Sequence, residues 1–214
     1  MTYLELVNDV LTRLRETNVS TVTETTYSAL IGKFVNDAKR QVEDAYTWNC
    51  LNQTVTVSTT AGTSSYSLTG TGQKFRIAEA LNTTSNIVLN NIAVSDMNRK
   101  LSFGTPAQSI PSEYCFNGVD GNGDTKVDLY PIPDGVFTLK FDVTVPQANL
   151  TSDGTSIKVL DYLVAQNAYA RALMERGEDG GTTTSDAYIL YKGMLSDAVA
   201  MESTRYPEDN FVAI

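Results

Sequence analysis

Hydrophobic positions along this chain follow two periods. Near both ends they recur every three to four residues, the spacing of one helix face. In the middle they alternate every two, the spacing of one sheet face. Residues 2–16 predict a helix, with Tyr3, Val7, Val10, Leu11 and Leu14 on one side. Thr2 and Glu5 have the spacing of a capping box, in which each side chain accepts from the other's free backbone N–H. A second helix is predicted from Glu24 to Tyr46. Its apolar stripe is Tyr27, Leu30, Ile31, Phe34, Val35, Ala38, Val42 and Ala45, and Asp37, Lys39, Arg40, Glu43 and Asp44 form the wet face. Trp48 follows, placed to plug the junction with the next segment.

From Leu51 the period changes to two. "TVTVSTT", the turn "AGTSS" and "YSL" read as a hairpin, and "FRIAEALN" with "NIVLNNIAV" as a second strand pair around "TTSN". "SDMNRKL" suits a short helix. "SEYCFNG" and "TKVDLYP" are strands flanking "VDGNGD", and "GVFTLKFDVTVP" is the longest strand signal. Helical spacing returns near Ile157. Leu163, Val164, Asn167, Ala168, Arg171 and Ala172 fall close to one line, and Gly177 suits a C-terminal cap. A last helix is expected from Ser185, as N-cap, to Thr204, with Tyr188, Tyr191, Leu195, Ala198, Val199 and Met201 on its apolar side.

A helix pair of this length is marginal alone, so the two pairs are expected to join. The reading is an α+β fold. Helices from 1–48 and 157–204 form a four-helix bundle, an antiparallel β-rich domain (49–156) is inserted between them, and an extended tail (205–214) ends the chain.

Composition narrows the chemistry. The 214 residues carry a net charge of −9, which does not suit gripping nucleic-acid phosphates but does let a polyanion slide past. No apolar run approaches the roughly 20 residues needed to span a bilayer, and "MTYLELVNDVLTRLRE" lacks the apolar core of a secretory signal. There is no histidine, which removes Ser-His-Asp and Cys-His mechanisms and His-ligated zinc. Cys50 and Cys115 form no CxxC motif and are expected to be isolated buried thiols.

Three motifs invite chemistry. Asp120, Asn122 and Asp124 imitate the start of a calcium loop, but Thr125 stands where glycine is needed and Pro131 where the bidentate Glu belongs. A hairpin turn, with Gly121, Asn122 and Gly123 supplying positive φ, accounts for the stretch. "GTGQKF" lacks the strand–loop–helix context of a phosphate loop. Glu113, Asp128 and Asp142 are carboxylates in the β region, where alternating polar positions belong to any half-exposed sheet. No catalytic residue, cofactor site or metal site is expected.

The segments "LVNDVLTRLRETNVSTVTE", "FVNDAKRQVEDAYTWNCL", "VDLYPIPDG" and "DYLVAQNAYARALMERGEDGG" together resemble the head-to-tail connector proteins of tailed phages. These are also called adaptors or gatekeepers and include tail tubular protein A. The resemblance covers nearly the whole chain and implies a non-enzymatic virion protein. Its implied partners are further copies of itself in a ring, typically of twelve, the portal protein above and a tail component below. Genomic DNA would pass through the channel without specific binding, and no membrane is involved.

By the same resemblance the C-terminal tail is a docking arm. Tyr206 and Pro207 would hold it extended, while Phe211, Val212 and Ile214 are buried on the portal. The acids of the second helix, Asp37, Glu43 and Asp44, are candidates to line the channel. Two other readings stay open at the level of sequence. A tail terminator or other tail-tube protein would show a larger continuous sheet and fewer helices. A carboxylate-based glycan hydrolase would show two facing carboxylates.

Overall fold

The computed structural model describes residues 1–177 and 182–205. It holds two compact units. Residues 1–51 and the described residues from 146 onward make the first, and residues 52–145 the second.

The first unit contains α1 (Tyr3–Arg13), α2 (Thr26–Ala45), α4 (Asp161–Arg176) and α5 (Thr182–Ser203). The capping box at the start of α1 is formed: the Thr2 N–H donates to Glu5 at 2.7 Å and the Glu5 N–H to Thr2 at 3.3 Å. Thr25 and Ser28 make the same device at α2. Gly177, at φ 63°, caps α4 in the left-handed region, where a Cβ would be strained. Inside the unit, α4 packs against α1, α2 and α5, while α5 packs chiefly on α4. The described helices are therefore not evenly arranged: α1, α2 and α4 share a centre, and α5 is an outer layer. This explains why the α4 stripe is broad, since Leu163–Ala168 is buried without interruption.

Leu6, Val7, Val10, Ile31, Val35, Val42, Leu163 and Val164 fill the core, each worth roughly 1.5–3 kcal/mol when fully buried. Trp48 is buried in the same core. Its indole N–H donates to the Val42 carbonyl at 2.7 Å, and its ring meets Tyr46 edge-on. Gly32 is where α2 comes closest to its neighbours. A Cβ there would lie 2.7 Å from Val22 Cγ1 and closer still to the Tyr3 hydroxyl.

Lys39 and Glu43 correct the expected wet face of α2. Both side chains are 1% exposed, and they pair at 3.1 Å. Lys39 also donates to the Gln147 carbonyl, and Glu43 accepts from the Gln147 N–H at 3.2 Å. One turn earlier, Asn36 both accepts from the Leu150 N–H at 2.7 Å and donates to its carbonyl at 3.0 Å. This face of α2 thus holds the backbone of the segment at 147–150. Helical period alone cannot show that, because the segment is over a hundred residues away in sequence.

The second unit is a pair of four-stranded sheets around one apolar cluster. The first sheet runs β1 (Asn52–Ser58), β10 (Thr138–Thr144), β3 (Arg76–Asn82), β4 (Ile87–Val88), all antiparallel. The second runs β2 (Ser65–Ser67), β8 (Thr125–Tyr130), β7 (Glu113–Val119), β5 (Asn90–Asn91), the last parallel to its neighbour. A small parallel pair joins β6 (Gln108–Ser109) to β9 (Ile132–Pro133). Leu139, Phe141 and Val143 of β10 point inward, and the residues between them do not, as alternation requires.

The β3–β4 and β7–β8 pairings match the sequence pattern. The β1–β2 hairpin does not form: β1 pairs with β10 and β2 with β8, so the two lie in different sheets. The short helix is α3 (Val94–Ser102).

Candidate functional site

The tail residues Tyr206, Pro207, Phe211, Val212 and Ile214 lie outside the described residues. Among the expected channel acids, Asp37 and Asp44 are exposed on α2. Glu43 is a correction: burial against Lys39 and Gln147 leaves it no face toward solvent. Burial pushes the Glu43 carboxyl up and the Lys39 ammonium down, so each charge depends on the other. The outward stripe of α2 reads Lys33, Asp37, Arg40, Asp44, all exposed at three- and four-residue spacing. Basic and acidic positions alternate along it, so it is charge-balanced rather than an acidic wall.

The 120–124 stretch is a turn. Asp120 accepts the N–H groups of Asn122 at 2.8 Å and Asp124 at 3.0 Å, and these bonds hold its carboxyl below the usual range. Asp124 accepts from the Gly72 N–H at 2.9 Å. Of Gly121, Asn122 and Gly123, only Gly123 has positive φ. Among the described residues no group of three or more His, Cys, Asp or Glu side chains is placed to hold a metal ion.

The three β-region carboxylates are engaged separately. Glu113 pairs with Lys100, Asp128 accepts from Asn117 at 2.7 Å, and Asp142 accepts from Thr54. Cys115 is buried as expected, but Cys50 is exposed. Both are free thiols.

The structure points instead to the α4–α5 surface. "YILY" puts four apolar residues in a row on α5, so one helix face cannot take them all. Ala187 and Tyr191 turn inward against α4, leaving Ile189 63% and Leu190 56% exposed. Met201, expected on the buried stripe, is 74% exposed. Beside them is a recess of about 240 Å³ lined by Gln41, Asn167, Ala170, Arg171, Met174 and Tyr188. Arg171 donates to Gln41 at 2.9 Å and to Asn167 at 3.3 Å, and Asn167 donates to Gln41 at 2.9 Å. A second recess, about 340 Å³, is polar and runs along β1 beside Ser67, Thr69 and Gly70.

Met174, Ile189, Leu190 and Met201 are thus large apolar side chains exposed on α4 and α5. The model of the SU10 adaptor protein family matches residues 1–210. The chain belongs to that family. Membership supports a structural role as a phage adaptor and a component of the virion. No individual curated protein matches the chain. No described helix is long and apolar enough to cross a membrane.

Sequence reasoning missed two parts of this adaptor's surface. The helical period puts Arg171 on one line with Leu163, Val164 and Ala168 of α4 and gives α5 a single apolar stripe, so neither the side-chain bonds of Arg171 nor the exposed second face of α5 shows in it. The run "YILY" was the available signal for the second. A further missed residue is Glu202, near the end of α5, which accepts from the Asn49 N–H at 2.9 Å. That bond fixes the 3₁₀ turn Asn49–Leu51 to the helix.

Proposed function

We propose that the chain is a head-to-tail adaptor that assembles as a ring of twelve, joins the portal to the next tail component and continues the DNA channel. The family match over residues 1–210 carries this reading. In it, α1, α2, α4 and α5 act as one four-helix module forming the ring wall, with the β-rich domain and the C-terminal tail reaching neighbouring components. The exposed apolar residues of α4 and α5 support it, because water-exposed Met174, Ile189, Leu190 and Met201 suit a surface that assembly covers. A net charge of −9 suits a wall that lets DNA pass without capture. The tail at 205–214, with Tyr206, Pro207, Phe211, Val212 and Ile214, is the portal-docking arm. Twelve such arms bind strongly together even if each is modest. The polar β1 edge suits pairing with a downstream tail protein or a neighbouring copy. Assembly takes place in the host cytoplasm.

The test is a pull-down of the cognate portal ring with the full chain and with a chain ending at Arg205, followed by negative-stain imaging. The full chain should bind and add a second ring of twelve, and the shortened chain should not. Binding by both forms would move the contact to the helices. Binding by neither would remove the adaptor–portal assignment.

A further inference from the structure

The recess beside α4 and α5 holds a cation with no acid. Arg171 is half-buried and donates to the side-chain oxygens of Gln41 and Asn167. Among the described residues no carboxylate pairs with it. The rim is apolar, with Ala170, Tyr188 and a Met174 that is 68% exposed. A guanidinium set among neutral oxygens and apolar side chains recognises a carboxylate that is itself flanked by an apolar group. The recess measures about 240 Å³, so it is about 6 Å across, too narrow for a helix about 10 Å wide. The tip of a loop suits it better.

The β unit presents such a tip. Residues 134–137 join β9 to β10. Asp134 is exposed, and Val136 is 72% exposed. The backbone behind them is pinned by Thr59, which is 2% exposed. Its hydroxyl donates to the Gly135 carbonyl at 2.9 Å and accepts from the Phe137 N–H at 2.8 Å, and its N–H donates to the Phe137 carbonyl at 2.9 Å. On the other side the Gly62 N–H donates to the Pro133 carbonyl at 2.8 Å. A tip held in this way loses little freedom on binding. Among the described residues Asp134 is in no ion pair. Other acids beside exposed apolar residues are already engaged: Asp96 pairs with Arg99 at 3.2 Å, and Asp120 accepts from its own turn.

We propose that one copy seats its 134–136 tip in the recess of a second copy, with the Asp134 carboxylate on the Arg171 guanidinium and Val136 against Met174. Tip and recess are different surfaces, so each copy offers one to a neighbour on either side. A contact of that kind repeats from copy to copy and closes into a ring where the rotation allows. The proposal rests on the adaptor reading for its place in a ring, but its test contains no portal. A chain that binds the portal without this contact overturns the contact alone. A chain that makes the contact without binding the portal overturns the portal reading alone.

The experiment uses full chains in a Cys50→Ser background. One preparation carries Met174→Cys and the other Val136→Cys, so any disulfide between them joins two copies. The bond needs Cα atoms within about 7 Å, which makes it a close-range reading. After mixing and mild oxidation, the two should link at least tenfold faster than Met174→Cys links to a control copy carrying Ser20→Cys. Asp134→Asn on the tip should slow the linking at least tenfold, the scale of losing a charge-assisted contact. It leaves the recess untouched, so it remains a test even if Arg171→Gln, expected to give the same loss, disturbs the helices. Together the two changes should cost no more than either alone. Linking no faster than the control overturns the proposal. So does linking that Asp134→Asn leaves unchanged, since the carboxylate is then not the anchor.

Discussion

Replacing Glu43 with Gln tests whether α2 grips the segment at 147–150 through a buried ion pair. The substitution keeps the shape and an oxygen for the Gln147 N–H, but leaves the Lys39 ammonium, 1% exposed, without its counter-charge. Breaking a buried pair from one side costs about 3 kcal/mol or more. Lys39→Met strands Glu43 in the same way, and it also frees the Gln147 carbonyl. Each single change should cost about 3 kcal/mol. The double substitution should cost well below their sum, with a coupling of at least about 2 kcal/mol, because neither charge is then left alone. Urea unfolding at pH 7 is the assay, followed by fluorescence. Trp48 is the chain's one tryptophan and is buried in the helical core, so it reports the helical unit separately from the β unit. A single-substitution cost under about 0.5 kcal/mol would refute the reasoning. It would mean that the pair is solvated and that Glu43 is free to face a channel.

Three further outcomes follow from named contacts. Gly32→Ala should lower the unfolding free energy in the same urea assay by about 1–2 kcal/mol, since overpacking against Tyr3 and Val22 outweighs the gain in helix propensity; a stabilised variant would mean the helices part easily. Ellman's reagent should titrate one thiol in the native protein and two after unfolding. Cys50 should react more slowly than a free thiol, because burial and then Glu202 push it up; reaction of Cys115 in the native state would contradict its burial. The Asp120 carboxyl is held down by the backbone N–H groups of Asp124 and Asn122. Its contribution is therefore present above its unfolded value of about 3.9 and lost as pH falls through the lower folded value. Amide shifts of Asn122 and Asp124 should titrate with a midpoint below 3.9, and a midpoint above it would refute the turn geometry.

What the sequence determined by itself is local. The Thr2–Glu5 capping box, the C-terminal glycine of α4 and the inward alternation of β10 depend on residues a few positions apart, and each formed as the pattern required. The adaptor resemblance also rested on order, helices on either side of strands, and the family match agrees with it. Tertiary structure decided the rest, because partners distant in sequence outvote local period. Lys39 and Glu43 have the spacing of a solvated helix face, yet Gln147 covers them. Strands β1 and β2 are separated by a turn signal, yet each pairs elsewhere: β10 offers β1 seven paired positions, and β8 takes β2 into the other sheet. On α5, apolar residues surround the helix, and only the position of α4 settles which are buried and which stay exposed. The half-buried setting of Arg171, bonded to the side-chain oxygens of Gln41 and Asn167, is likewise the work of the fold. Sequence cannot state that, because the surroundings come from three separate helices.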